Sequence, residues 1–372
     1  MRLPQSNILP IKYLSSIFNN TTNSYKFYWF VAILEYISAK IQPVIPLQEL
    51  SARMIARAWY PVNYFNISFG KQDRLAIIAF KVKAENQLNE NAKEHDVLGE
   101  VLRILNHSKN TEILKDLDSL IRYVPYRFLR PWFTKELRGI ADYEINPQIV
   151  KLAEQGFENQ SELCLYKFVG KEEKAIEIQR NWFEYLQKHN KILMDFCSWN
   201  LLIYLQKNNP NVPNIAEKLF APKNRKLRNA RRFWDFVLKE QEAFYCIYSQ
   251  VPVVVNEYSI DHFIPWKFVT HDQLWNLIPV PKFINFAKSD FLPSLDQYFG
   301  RFARVHYQAF RLAFKKNKLK ILEDYTTLYQ SELTTIYQMP EHEFKYRLRS
   351  AVAPLVQIAE NMGFESNWIY KK

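Results

Sequence analysis

Apolar residues recur at spacings of three and four along almost the whole chain, and only 244–280 has strand-like composition. That pattern predicts a mainly α protein. Helical spacing runs through 24–41, 47–60, 71–85, 92–105 and 111–123, then through 172–207, and again through 295–314, 319–333 and 342–362. The segment 163–169 is a candidate short strand, with a domain hinge expected near residue 170. In 244–280, the runs 251–255 and 275–280 are β-favouring, as in a two-stranded hairpin leading into a helix.

At 372 residues and 48% hydrophobic composition, the chain can bury two or three cores. Seven glycines are too few and too dispersed for a phosphate-cradling loop of the P-loop or dinucleotide type. Cys164, Cys197 and Cys246 are odd in number and far apart, which disfavours a disulfide framework and fits a reducing cytoplasm. The N-terminal residues lack a charged region followed by an apolar run, and the most apolar window, 27–34, is far shorter than the roughly 20 residues of a bilayer span. No membrane partner is expected.

The formal charge of +12 favours polyanionic partners. The densest positive run, 221–232, carries Lys223, Arg225, Lys226, Arg228, Arg231 and Arg232 without an acidic residue. On a helix, Arg225, Arg228 and Arg232 would share one face and meet several phosphates; the plainer reading is a solvated helix face. The segment 124–133 interleaves arginine with aromatics. It reads as extended, either gripping a nucleic-acid strand or serving as a proline-stiffened connector with its rings packed inward.

Between residues 258 and 294 the chain reads Asp261-His262-Phe-Ile-Pro265, then Trp275-Asn276-Leu277, then Asn285-Phe-Ala-Lys288-Ser-Asp290 and Pro293-Ser294. A metal-capable carboxylate thus stands beside a histidine, with two spaced asparagines downstream. The stretch resembles the HNH, or histidine-metal finger, nucleases, especially the HNH domain of RNA-guided CRISPR nucleases and small stand-alone bacterial HNH proteins. The resemblance covers about a tenth of the chain.

The resemblance implies a mainly α fold class: a helical scaffold with an embedded ββα-metal (HNH) finger. His262 would be the general base and Asp261 a metal ligand, with Asn285 as the second ligand. Asn276 would bond backbone near the histidine and orient its ring. Lys288, one turn after Asn285, would share its face and contact phosphate. The oxygen-rich ligand set implies Mg²⁺ or Mn²⁺. Many HNH domains close on a structural zinc held by paired cysteines, but Cys246 is followed by Ile247-Tyr248-Ser249, so no structural zinc is expected. Apolar packing by Trp266, Phe268, Trp275 and Ile284 would replace it. His271 reads as a loop histidine, and 341–343 as an acidic helix start.

The expected organisation is an N-terminal helical domain (1–170), a helical connector with the basic run (171–240), the nuclease finger (241–298) and a C-terminal helical segment (299–372). The implied activity is metal-dependent endonucleolytic hydrolysis of phosphodiester bonds, with DNA the expected substrate and cytoplasmic restriction or anti-phage defence the implied role. A partner subunit such as an ATPase, or a homodimer, is a candidate assembly. The alternative is a non-catalytic nucleic-acid-binding protein whose finger is a relic.

Overall fold

The computed structural model describes residues 2–158, 163–171 and 174–371, and is 61% helical. The chain divides into two compact units, residues 1–210 with 215–221, and residues 211–214 with 222–372.

The first unit opens with α1 (Ile11–Ser15) and α2 (Tyr25–Lys40). Every residue from Phe27 to Leu34 is buried, so α2 is enclosed on all sides, as its uniformly apolar sequence requires. A short strand, β1 (Val44–Pro46), leads into α3 (Leu47–Trp59). The α-helical pattern stops where expected, yet the chain continues as a π-turn over Tyr60–Tyr64, closed by the Phe65 amide on the Tyr60 carbonyl at 2.9 Å. Pro61 lacks the N–H that an α-helix needs, and the wider turn absorbs the defect.

Next come α4 (Arg74–Glu85), α5 (Glu94–His107) and α6 (Thr111–Ile121). Asp73 caps α4 and also accepts the Ser24 amide at 2.6 Å, tying the starts of α2 and α4 together. The segment 124–133 is helical rather than extended: α7 (Val124–Phe128), then a 3₁₀ turn over Arg130–Phe133. Pro125 and Pro131 each stand in the first turn of these pieces, where the fixed proline φ starts a helix. Phe128, Trp132 and Phe133 pack inward.

After α8 (Ile145–Phe157), β2 (Tyr166–Val169) and β3 (Ala175–Ile178) pair antiparallel, with Val169 opposite Ala175, and β1 adds to the far edge of β3. The strands on either side of the hinge expected near residue 170 therefore pair with each other inside the first unit. Of the helical pattern expected over 172–207, residues 172 and 173 lie outside the described residues. The remainder is β3 followed by two helices, α9 (Arg180–Lys188) and α10 (Asn190–Asn208), separated at His189.

The second unit contains α11 (Arg228–Glu240), β4 (Tyr258–His262), α12 (Trp266–Val269), β5 (Leu277–Pro281), α13 (Lys282–Lys288), α14 (Leu295–Lys315), α15 (Glu323–Tyr329), α16 (Leu333–Gln338) and α17 (Glu341–Asn361). The run 251–255 contributes only an isolated bridge between Tyr245 and Pro252, and the first hairpin strand is β4. The finger is held by rings. Phe263 stacks on Phe302 of α14 with centroids 4.0 Å apart, Phe268 meets Phe364 edge-on, and Tyr248 lies against Tyr298 and Trp368. The tail following α17 is tied to the finger exit by the Leu292 amide on Glu365 and the Ser294 amide on Trp368. Each fully buried phenylalanine contributes roughly 1.5–3 kcal/mol to the packing of the finger. Trp266, Phe268, Trp275 and Ile284 are all in this core, and all three cysteines are buried free thiols.

Candidate active site

The strands β4 and β5 run antiparallel with Asp261 opposite Ile278 and His262 opposite Leu277. Neighbouring strand residues face opposite sides, so these two adjacent side chains find different partners. Asp261 accepts the Tyr248 hydroxyl on Oδ2 at 2.8 Å and the Lys288 ammonium on Oδ1 at 3.1 Å. Lys288 Nζ also donates to the His262 carbonyl at 2.7 Å. Burial, and then the Asp261 charge, push the Tyr248 phenol well up, keeping it a neutral donor.

His262 Nε2 lies 2.9 Å from Asp272 Oδ1, and the Lys226 amide donates to Asp272 Oδ2 at 2.8 Å. Burial alone would raise the Asp272 carboxyl. The bonds from His262 and Lys226, with the charges of His262 and Arg225, outweigh it and hold the group below its ordinary range. An ionised carboxylate only accepts, so His262 carries its proton on Nε2, and in the neutral ring Nδ1 keeps the basic lone pair. Burial lowers the His262 pKa, partly opposed by Asp272, so the ring is neutral near pH 7.

Asn276, in a 3₁₀ turn just before β5, is fully buried. Its Oδ1 accepts the Ile264 amide at 2.8 Å and its Nδ2 donates to the Ile264 carbonyl at 2.9 Å, while its own carbonyl accepts the Phe263 amide. These bonds clamp the backbone just after His262. Asn285 sits on α13, half-buried.

Two placements differ from the sequence reading. Lys288 is not at a surface facing phosphate; it is 0% exposed and neutralises Asp261. The helix α13 is inverted, burying this lysine while Phe283 and Phe286 stand 54% and 87% exposed. Arg225 does not share a helix face with Arg228 and Arg232, because α11 begins only at Arg228. Pro222 precedes it and the Lys226 amide is committed to Asp272, so the run enters α11 from a loop. The Arg225 guanidinium lies over the Trp266 ring at 5.6 Å. Arg228, Arg231 and Arg232 crowd the start of α11, whose first turn has no acidic residue. Their charge adds to the positive end of the helix dipole, an arrangement that costs helix stability unless an anion is present. Arg232 also lines a cleft of about 370 Å³ with Lys318 and Lys320.

Residues 246–294 match a family model described as HNH endonuclease. This segment is an HNH endonuclease domain. The match spans Cys246 through Ser294 and includes strands β4 and β5 and α13, leaving the helical remainder outside it. Curated proteins and solved structures give no match to the chain. HNH domains act as metal-dependent nucleases on nucleic acid. Among the described residues, no group of three or more His, Cys, Asp or Glu side chains is placed to hold a metal. The donor chemistry that remains, one carboxylate at Asp261 and one carboxamide at Asn285, suits a hard ion that keeps waters and substrate oxygens in its shell. In this structure the Lys288 ammonium supplies the positive charge at the Asp261 carboxylate.

Sequence reasoning passed over Asp272 and Tyr248. Asp272 has a legible signal, a carboxylate in the loop joining the two halves of the motif. Tyr248 has none, because its approach to Asp261 depends on the aromatic packing around Trp368.

Proposed function

We propose that the protein is an endonuclease that hydrolyses DNA with Mg²⁺ or Mn²⁺, leaving 5′-phosphate and 3′-hydroxyl ends, and that it serves restriction or anti-phage defence. The observation that carries the chemistry is the neutral His262 ring fixed between Asp272 and the Asn276 clamp. Nδ1 takes a proton from water, the water oxygen bonds to phosphorus, the bond from phosphorus to the 3′-oxygen breaks, and that oxygen leaves protonated from solvent. Asp272 stabilises the imidazolium that forms. Asp261 and Asn285 would hold the divalent ion, which when bound neutralises charge growing on the phosphate and its leaving oxygen. Arg225, Arg228 and Arg232 bind the backbone, and exposed Phe286 offers a face for base stacking.

Asp261 and His262 are each 3% exposed, so the scissile phosphate reaches them only when covering residues move. The segment carrying Arg225 and Lys226 is the one bonded to Asp272, and phosphate binding there displaces it. A non-catalytic binding role gains nothing from a histidine with an ionised partner. Supercoiled plasmid, single-stranded DNA and RNA, each incubated with Mg²⁺ or with EDTA, test the reading: Mg²⁺-dependent cleavage of the DNA is expected, and a protein that binds all three yet cuts none under either condition contradicts it.

A further inference from the structure

The first unit contains a cleft of about 920 Å³ between the start of α2 and the segment around α7. Lys12, Lys26, Arg127 and Arg130 line it, against a single carboxylate, Asp142. That carboxylate is already taken: Arg127 holds its Oδ1 at 2.8 Å, leaving Arg130 at 3.8 Å from the same oxygen. Lys26 donates to the Ile17 and Asn20 carbonyls at 3.2 and 2.9 Å, and no acidic side chain among the described residues pairs with it. It stands in the first turn of a 16-residue helix, where the dipole disfavours a cation. The strain is mutual. Burial, and then the charge of Arg130, lower the Lys26 pKa to about 8, while burial and the charge of Arg127 lower that of Arg130. Folding thus holds Lys26 near Arg130, while Arg130 and Arg127 share one carboxylate, a cost that a bound anion would relieve.

The cleft is larger than an inorganic anion needs and falls in the size range of small-molecule sites. Tyr25 and half-exposed Tyr123 supply aromatic surface beside the cations. We propose that this cleft binds a phosphorylated nucleoside, its phosphates on Lys26 and Arg130 and its base against the tyrosines. Planar Arg130 offers a two-pronged donor for phosphate oxygens, and a base stacks on a tyrosine whatever its identity. The nucleotide can be free in solution or be the 5′-phosphorylated end of a strand; the chemistry is shared. Neither source uses the HNH domain.

Calorimetric titration of the full chain with dATP, dAMP, deoxyadenosine and inorganic phosphate, without divalent metal, tests the proposal. dATP should bind, deoxyadenosine and phosphate should bind at least tenfold more weakly, and Arg130→Gln should weaken dATP about tenfold or more. Tyr123→Ala, at an exposed position, should weaken it with its melting temperature kept, so a folding defect in one variant does not decide the matter. No heat with dATP at millimolar concentration, equal affinity in the wild type and both variants, or phosphate binding as tightly as dATP overturns the proposal. Competition between dATP and a 5′-phosphorylated oligonucleotide, but not its 5′-hydroxyl counterpart, assigns the strand end; its absence assigns the free nucleotide.

Discussion

The HNH domain and the cleft of the first unit use the same kinds of side chain with opposite charge balance. In the domain, buried Lys288 is matched to Asp261, and the neutral His262 ring is hydrogen-bonded to the Asp272 carboxylate. In the cleft, no acidic partner of Lys26 is found among the described residues, and Arg130 shares Asp142 with Arg127. Matched charges can be sealed from water and fixed in one geometry, which suits a proton-transfer site. Unmatched charges stay partly solvated and store repulsion that a ligand relieves. The difference separates a site built to do chemistry from one built to receive an anion.

Removing a cation from each place tests that contrast most forcefully. Lys288→Met leaves Asp261 buried without its counter-charge and should cost roughly 3–5 kcal/mol in urea unfolding. Adding Asp261→Asn should recover much of the loss. Arg130→Gln, in the cleft, should stay within about 0.5 kcal/mol of wild type. Equal costs at the two positions would erase the distinction.

A smaller effect is expected at Asp272. Asp272→Asn keeps the shape but lets the ring adopt the other tautomer, and should lower kcat for DNA cleavage about 10²-fold with KM and melting temperature unchanged. A rise in KM alone would make Asp272 a substrate contact instead. The smallest effect concerns pH. The folded pKa of Lys26, about 8, lies below its ordinary 10.5, so between these values the unfolded chain binds more protons and stability contributed by this residue rises with pH. Compared with Lys26→Gln, the wild type should therefore gain stability from pH 8 to pH 10.5; a constant gap between the two would show that the repulsion is absent.

Much of this was legible in the sequence where neighbouring residues act together. The placing of Asp261 and His262 at the end of a strand, Asn276 before its partner and Asn285 on the next helix follows the order of the motif, because each lies within one short local element. The same reading failed where the third dimension reverses local periodicity. On α13, spacing put Lys288 on the phosphate side, but Asp261 draws it inward and Phe286 turns out. The basic run looked like one helix face because charge patterning ignores the backbone bond from Lys226 to Asp272. The strands β1 and β3 were hidden because three or four residues carry little periodicity, and their pairing is fixed by partners over a hundred residues apart. The prolines of 124–133 suggest an extended, stiffened connector in sequence, although Pro125 and Pro131, standing in first turns, initiate helical pieces.

Removal of the proton from the attacking water by the His262 imidazole is read in the single-turnover rate of Mg²⁺-dependent DNA cleavage by wild type and His262→Ala at matched DNA occupancy. A loss of about 10²-fold or more, with DNA binding retained, is the predicted result; a variant that cuts as fast as wild type contradicts it.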